Sequence, residues 1–372
     1  MKKSVAIGIR PAALSGFQPM RSCPVLAFSL ALALPAVLPS ALHAAFSYTI
    51  TDLGTLGGSN SSASGVNDYG QVVGTATTVY GVSRAFGYSA GVMYDLGTLG
   101  GDYSSASAIN DHGQVVGTAT TSSGASHAFL FANGVMTDLG TLGGNSSSAS
   151  AINNNGRIVG TSTISYGVQR AFLFANGVMY DLGTLGGDYS TATAINDNNV
   201  IVGTSGSTNP PNPDNGDDYG FIFLNGRMQN LATLGGPGDL YVFPISISNS
   251  GQIAGTYTIS YGEIGFASFI YSGGTTGYLG SGISESLLAR GINDAGQVVG
   301  SYQSLSGGPQ YGFLYSGGVR YDLNALVDLS GSDFTHLSNA VAISNTGYIV
   351  GTGTTTAGNT HAFLLTPIPP SL

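Results

Sequence analysis

The chain has 372 residues, only 8% of them charged, and its 19 acidic against 10 basic residues give a net charge of −9. Ordinary soluble domains carry about 25% charged residues, so solubility here must rest on hydroxyl and amide groups. An acidic surface repels phosphates and excludes a nucleic-acid partner, and a single cysteine excludes an internal disulfide.

The N-terminal region places Lys2, Lys3, Arg10 and Arg21 ahead of an uncharged run from Pro24 to Ala44 that ends in small residues. This is the pattern of a secretory signal peptide, residues 1–45, with cleavage near Ala44. Met20 is an alternative start, because Met20-Arg21 opens a signal of more ordinary length. Pro35 and Pro39 interrupt the apolar run, which is shorter than the roughly 20 residues of a spanning helix, so no membrane span is expected after cleavage. Cys23 leaves with the signal. The mature chain keeps six basic residues, all arginine, against all nineteen acids, and it is expected in the periplasm, at the cell surface or outside the cell.

DLGTLGG then stands at Asp52–Gly58, Asp95–Gly101, Asp138–Gly144 and Asp181–Gly187, a period of 43 residues. An apolar pair closed by glycine recurs at Gly74, Gly117, Gly160, Gly203, Gly255, Gly300 and Gly351. Seven units follow, the later ones lengthened by insertions. No unit of this size buries a core alone, so the units must stack or close into a ring.

The second unit shows what each contributes. Ser104–Asn110, Gln114–Thr121, His127–Ala132 and Val135–Thr141 are short runs rich in Val, Thr, Phe and small residues, bounded by Gly, Asn or Asp, and read as four antiparallel strands, A to D. Asn133-Gly134 joins the last two in a tight hairpin. Four strands in 43 residues, seven times over, match an all-β, seven-bladed β-propeller of four-stranded antiparallel blades. An open solenoid is the rival. The seventh unit supplies strands A (Ala340–Ser344), B (Tyr348–Thr355) and C (His361–Leu365) but no D, whereas a spare D strand, Ser47–Gly54, opens the mature chain. The ring is therefore expected to close by this N-terminal strand, within residues 47–55, joining the last blade and covering its open edge. The expected domains are a signal at 1–45, one propeller at 46–366, and a short tail at 367–372. A monomer is expected.

With Asn133-Gly134 as a two-residue turn, His127 and Asp138 become diagonal neighbours on one face of a hairpin. The same offset joins Arg84 to Asp95 and Arg170 to Asp181, and ring closure gives His361 the acid Asp52. The basic residue thus reads as a structural partner rather than a chemical group.

The DLGTLGG, AIN and QVVG elements, with His127-Ala128-Phe129 and His361-Ala362-Phe363, resemble the HAF repeat family of extracellular bacterial proteins, from Asp52 to Leu365. The resemblance implies export and a repeat array, and it carries no catalytic residues. Arg84 and Arg170 in place of histidine, and Tyr219-Gly220-Phe221 and Tyr311-Gly312-Phe313, depart from the motif.

Three groups of residues are candidates for function. Asn or Asp recurs in every A–B turn, where the ordinary role is to bond its own backbone. Asp214, Asp217 and Asp218, in an inserted B–C loop of the fourth unit, could wrap calcium; otherwise no cofactor is expected. The opposite end of the ring offers Asp102, Tyr103, Asn145, Asp188 and Tyr189 from D–A loops, and Tyr80, Tyr166, Tyr261 and Tyr311 from B–C loops. Tyrosines among hydroxyls and carboxylates suit a glycan, the ring stacking on a sugar face while short polar groups take its hydroxyls. The leading expectation is a secreted, non-enzymatic binding or adhesion module for a glycan or cell-surface component. A polysaccharide lyase or hydrolase, and a purely structural surface protein, are the alternatives. No nucleophile elbow or triad is present, and Glu263 and Glu285 are the only glutamates.

Overall fold

The computed structural model describes residues 48–207, 218–234, 242–260, 264–280 and 285–369. The signal expected at 1–45 lies outside them. The described residues form seven four-stranded antiparallel sheets arranged as the blades of a seven-bladed β-propeller, and they contain no α-helix.

Blade 2 has strands A to D at Gly100–Ile109, Val115–Thr121, Ser126–Ala132 and Val135–Asp138. Its A strand starts four residues earlier than expected, and its pairing slips between Gly100 and Ser104 and again between Ala106 and Ala108. Such slips bend a strand and increase its local twist. The hairpin turn is as read from sequence, with Asn133 and Gly134 both at positive φ, 52° and 78°.

The core lies between blades. Each blade carries one fully buried phenylalanine: Phe86, Phe129, Phe172, Phe221, Phe269, Phe313 and Phe363. Phe172 packs with Ile152 and Ile158 of its own blade and with Val116, Ala128 and Leu139 of the blade before it. The recurrent glycine is explained by this packing. Gly117 pairs with Phe129, and a Cβ there would collide with the Ser105 carbonyl and stand 2.9 Å from the Phe129 ring.

Closure occurs as the chain ends suggested. The N-terminal strand Tyr48–Asp52 pairs with Thr360–Pro367, from Tyr48 opposite Pro367 to Asp52 opposite Phe363, and completes blade 7 beside Ile349–Thr355 and Phe334–Ile343. Tyr48 is buried with Leu337, Phe363 and Leu365, and its amide donates to the Leu326 carbonyl at 3.2 Å. Burial pushes its hydroxyl up to about 12. No helix of the described residues is long and apolar enough to cross a membrane.

Candidate functional site

Strand direction puts the A–B and C–D turns at one end of the ring and the B–C and D–A connections at the other. At the second end, Thr78–Gly81 forms a tight turn in which Gly81 N donates to Thr78 O at 2.9 Å and Thr78 N to Val82 O at 2.9 Å. Gly81 supplies the left-handed residue at φ 75°, which leaves Tyr80 at the tip. The turn in blade 3 is the same, with Gly167 at φ 78° and Tyr166 at the tip. Tyr80 is 90% exposed and Tyr166 is 91% exposed, so neither ring packs a loop. Blade 2, between them, has Ser123 at that position. Tyr261 lies outside the described residues.

The remaining residues expected at this end fall elsewhere than in loops. Asp102, Tyr103, Asn145, Asp188 and Tyr189 belong to the early halves of long A strands. Their extension has little apolar alternation to announce it; side chains hold it, as where Tyr103 N donates to Thr120 Oγ1 at 3.0 Å and that hydroxyl donates back to Tyr103 O at 3.2 Å. Asp102, Tyr103, Asn145 and Asp188 are exposed, but Tyr189 is half-buried against Gly206. The Asp188 carbonyl accepts from Arg170.

Tyr311 is likewise not a loop residue. It opens strand C of blade 6, Tyr311–Ser316, stacked on Tyr302 at 5.4 Å and edge-on to His336 of blade 7 at 4.9 Å. Around it the repeat is rebuilt with unlike residues. Arg320 donates to both oxygens of Glu285, at 2.6 and 3.1 Å, and lies 4.5 Å over the Tyr302 ring. The Tyr302 hydroxyl donates to Asp322 at 3.3 Å. Burial first, and then the Asp322 charge, push that hydroxyl up to about 12, which holds it neutral. Sequence reading missed this cluster, although Glu285 and Arg320 were both visible as departures from the repeat.

The charge pairs behave as structure. His127 Nδ1 lies 2.8 Å from Asp138, and His361 Nδ1 lies 2.8 Å from Asp52 across the closure. Arg170 Nε is 3.9 Å from Asp181. Each acid also caps its turn, accepting from the second amide on: Asp52 from Gly54, Asp138 from Gly140 and Asp181 from Gly183. Arg84 departs from expectation. No ion pair joins it to Asp95 among the described residues, and its Nε is buried without a partner.

At the opposite end, the A–B turns surround the axis. Asn67, Asn110, Asn153, Asn196 and Asn293 are buried, as are Ser248 and Ser344. Asn110 Oδ1 accepts from the amides of His112 and Gln114, and its Nδ2 donates to Asn153 O of the next blade at 3.0 Å. The residue that follows forms a belt. The amide of Asp68 donates to the Asp111 carboxylate, Asp111 to Asn154, Asn154 to Asp197, Asp197 to Asn249, Asn249 to Asp294, Asp294 to Asn345, and Asn345 back to Asp68, at 2.6 to 3.0 Å. The cavity it encircles is small, about 160 Å³. The Asn and Asp of these turns thus join blade to blade, beyond bonding their own backbone.

Asp214 and Asp217, two of the expected calcium ligands, lie outside the described residues, and of Asp218 only the backbone is described, as the first residue of Asp218–Leu224. Among the described residues no group of three or more His, Cys, Asp or Glu side chains could hold a metal ion.

No family model matches the chain, and no curated protein matches it. Solved structures do. The β-propeller domain of the Trilobed protease from Pyrococcus furiosus, described as having an open velcro topology, is similar at a TM-score of 0.54 and 9% identity over 86% of this chain and 94% of that one. A puromycin-hydrolyzing peptidase of Mycobacterium tuberculosis matches at 0.53 and 11% over 91% of this chain and 55% of its own. An acylaminoacyl peptidase of Pyrococcus horikoshii matches at 0.54 and 9% over 82% of this chain and 51% of its own. The chain spans about half the length of the two peptidases. At such identities the likeness is one of fold.

Proposed function

We propose that the protein is a secreted, non-enzymatic propeller of the HAF repeat kind that binds glycans through the end of the ring bearing its B–C turns. The observation that carries this reading is the exposure of Tyr80 and Tyr166 at the tips of equivalent turns. An aromatic ring held clear of the protein costs burial and offers a flat apolar face to a sugar. By contrast, Glu285 is engaged by Arg320 and Asp322 by Tyr302 in blade 6, which argues against an enzyme built on that cluster.

The test is a glycan-array screen of the mature protein beside a Tyr80→Ala/Tyr166→Ala variant. The variant should lose binding by about tenfold or more, equivalent to roughly 1.4 kcal/mol, while its melting temperature is unchanged. Release of soluble product from a polysaccharide would transfer the assignment to a lyase or hydrolase. Neither binding nor cleavage would leave a structural surface protein.

A further inference from the structure

Between blades 3 and 4, at the end of the ring that carries the A–B and C–D turns, lies a groove of about 470 Å³. Two departures from the repeat meet in it. The residue after the turn glycine is glutamine in four units, Gln71, Gln114, Gln252 and Gln297, but Arg157 in the third. The turn glycine itself, present in the other six units, is Asn199 in the fourth.

The two changes are chemically linked. In units one, two and six the glutamine Oε1 accepts from the buried asparagine four residues earlier, Asn67, Asn110 and Asn293, at 2.7 to 2.8 Å. A guanidinium only donates, so Arg157 cannot take that bond, and Asn153 Nδ2 donates instead to Asn199 Oδ1 of the next blade at 3.1 Å. In the preceding blade pair, Gln114 Oε1 lies 3.7 Å from where a Cβ on Gly156 would stand. Asn199 occupies the corresponding position, at a φ of 62° that asparagine tolerates. The exchange releases the arginine. Arg157 is half-buried, lines the groove, and its side chain has no hydrogen-bond or ion-pair partner among the described residues.

The groove's walls define what would pair with it. Leu173, Phe223 and Leu224 give an apolar side, with the amides of Asn199 and Asn225 beside it. Asp181 also lines the groove, but its carboxylate is engaged by Gly183 N at 2.8 Å and faces Arg170. A half-desolvated cation without a partner is stabilised by a charge-assisted bond to a planar anion. An inorganic anion or an acidic sugar would leave the apolar side uncovered. We propose that this groove binds the C-terminal residue of a peptide, its carboxylate on Arg157, its aliphatic or aromatic side chain against Leu173, Phe223 and Leu224, and its backbone carbonyls on the asparagine amides. A volume within the usual range of small-ligand sites, about 300–1,000 Å³, accommodates one or two residues.

The experiment is calorimetric titration of the mature protein with acetyl-Gly-Gly-Leu as the free acid and as the C-terminal amide. The acid should bind at least about tenfold tighter than the amide. Arg157→Gln, which restores the repeat's own residue and the acceptor for Asn153, should remove that difference without lowering the melting temperature. The Tyr80→Ala/Tyr166→Ala variant should bind the peptide as the parent does, which separates this site from the proposed glycan face. Equal binding of acid and amide, undiminished binding by Arg157→Gln, or no saturable binding at millimolar peptide overturns the proposal. So does Arg157-dependent binding of oligouronate or inorganic phosphate without peptide binding.

Discussion

At position 127 a histidine meets an acid because the hairpin between them has a two-residue turn. Phe129 is opposite Asp138, which sets His127 on the diagonal, and the side chains close to 2.8 Å. With His127 replaced by alanine, Asp138 by alanine, and then both, urea unfolding should return a coupling of about 0.5–1 kcal/mol, the upper part of the range for cross-strand pairs. Strict additivity would reduce the contact to a by-product of the repeat. The pairing was legible because the offset is fixed by backbone register. It failed for Arg84, although Arg170, with the same side chain at the same offset, lies 3.9 Å from Asp181; register brings the two residues together but does not select the conformer of so long a side chain. The Asn153 to Asn199 bond was not legible either, since it joins different blades and depends on a left-handed asparagine that reads in sequence as one more turn residue.

Among the elements, the strand Tyr48–Asp52 is the one whose loss is most informative. It covers the open edge of blade 7 and buries Tyr48. Deleting residues 46–55 should cost several kcal/mol in pairing and burial, read as a large fall in melting temperature or as aggregation; an unchanged transition would disprove closure by this strand. Tyr48 adds a titration. Its hydroxyl is raised to about 12 in the folded protein, against about 10 unfolded, so the folded state holds the proton longer. The stability it contributes is present below pH 10 and is lost as the pH rises to about 12, an amount of about 2–3 kcal/mol. Tyr48→Phe should flatten that part of the alkaline unfolding curve, and a variant that melts in alkali just as the parent does would contradict the burial argument. Where strands carried alternation and turn residues, as at Val115–Thr121, their bounds were readable to a residue or two. The early halves of the A strands were not, because Gly-Gly and polar residues there are held by side-chain bonds to threonine rather than by an apolar face.

On the scale of the whole molecule, the seven glycine landmarks gave the blade count, since each marks one phenylalanine seated over one B strand. The candidate glycan face was partly legible: the tyrosine-bearing turns could be placed, but exposure depends on neighbours that the repeat does not encode. The belt around the axis was the least foreseeable feature, being a property of seven turns together. Carboxylates and amides alternate along most of it, and the Asn154 amide donates to Asp111 and Asp197 at 2.8 and 3.1 Å. Asp68→Asn should therefore raise the melting temperature at low salt by about 1–3 °C, the equivalent of a few tenths of a kcal/mol to about 1, with the gain shrinking as salt is added; a fall would mean that the two acids do not repel. That substitution follows from parity. An odd ring cannot alternate two kinds of member all the way round, so one like pair is unavoidable, and here it is Asp68 beside Asp111. The mismatch therefore lies between two blades that the continuous polypeptide already ties together. The link on the other side of Asp68, between blades 7 and 1, has the fuller complement, with Asp68 accepting from Asn345 N, Asn345 Nδ2 and Thr346 Oγ1. The electrostatic defect is thus kept away from the links that flank blade 7, the one sheet closed by strand pairing between distant parts of the chain.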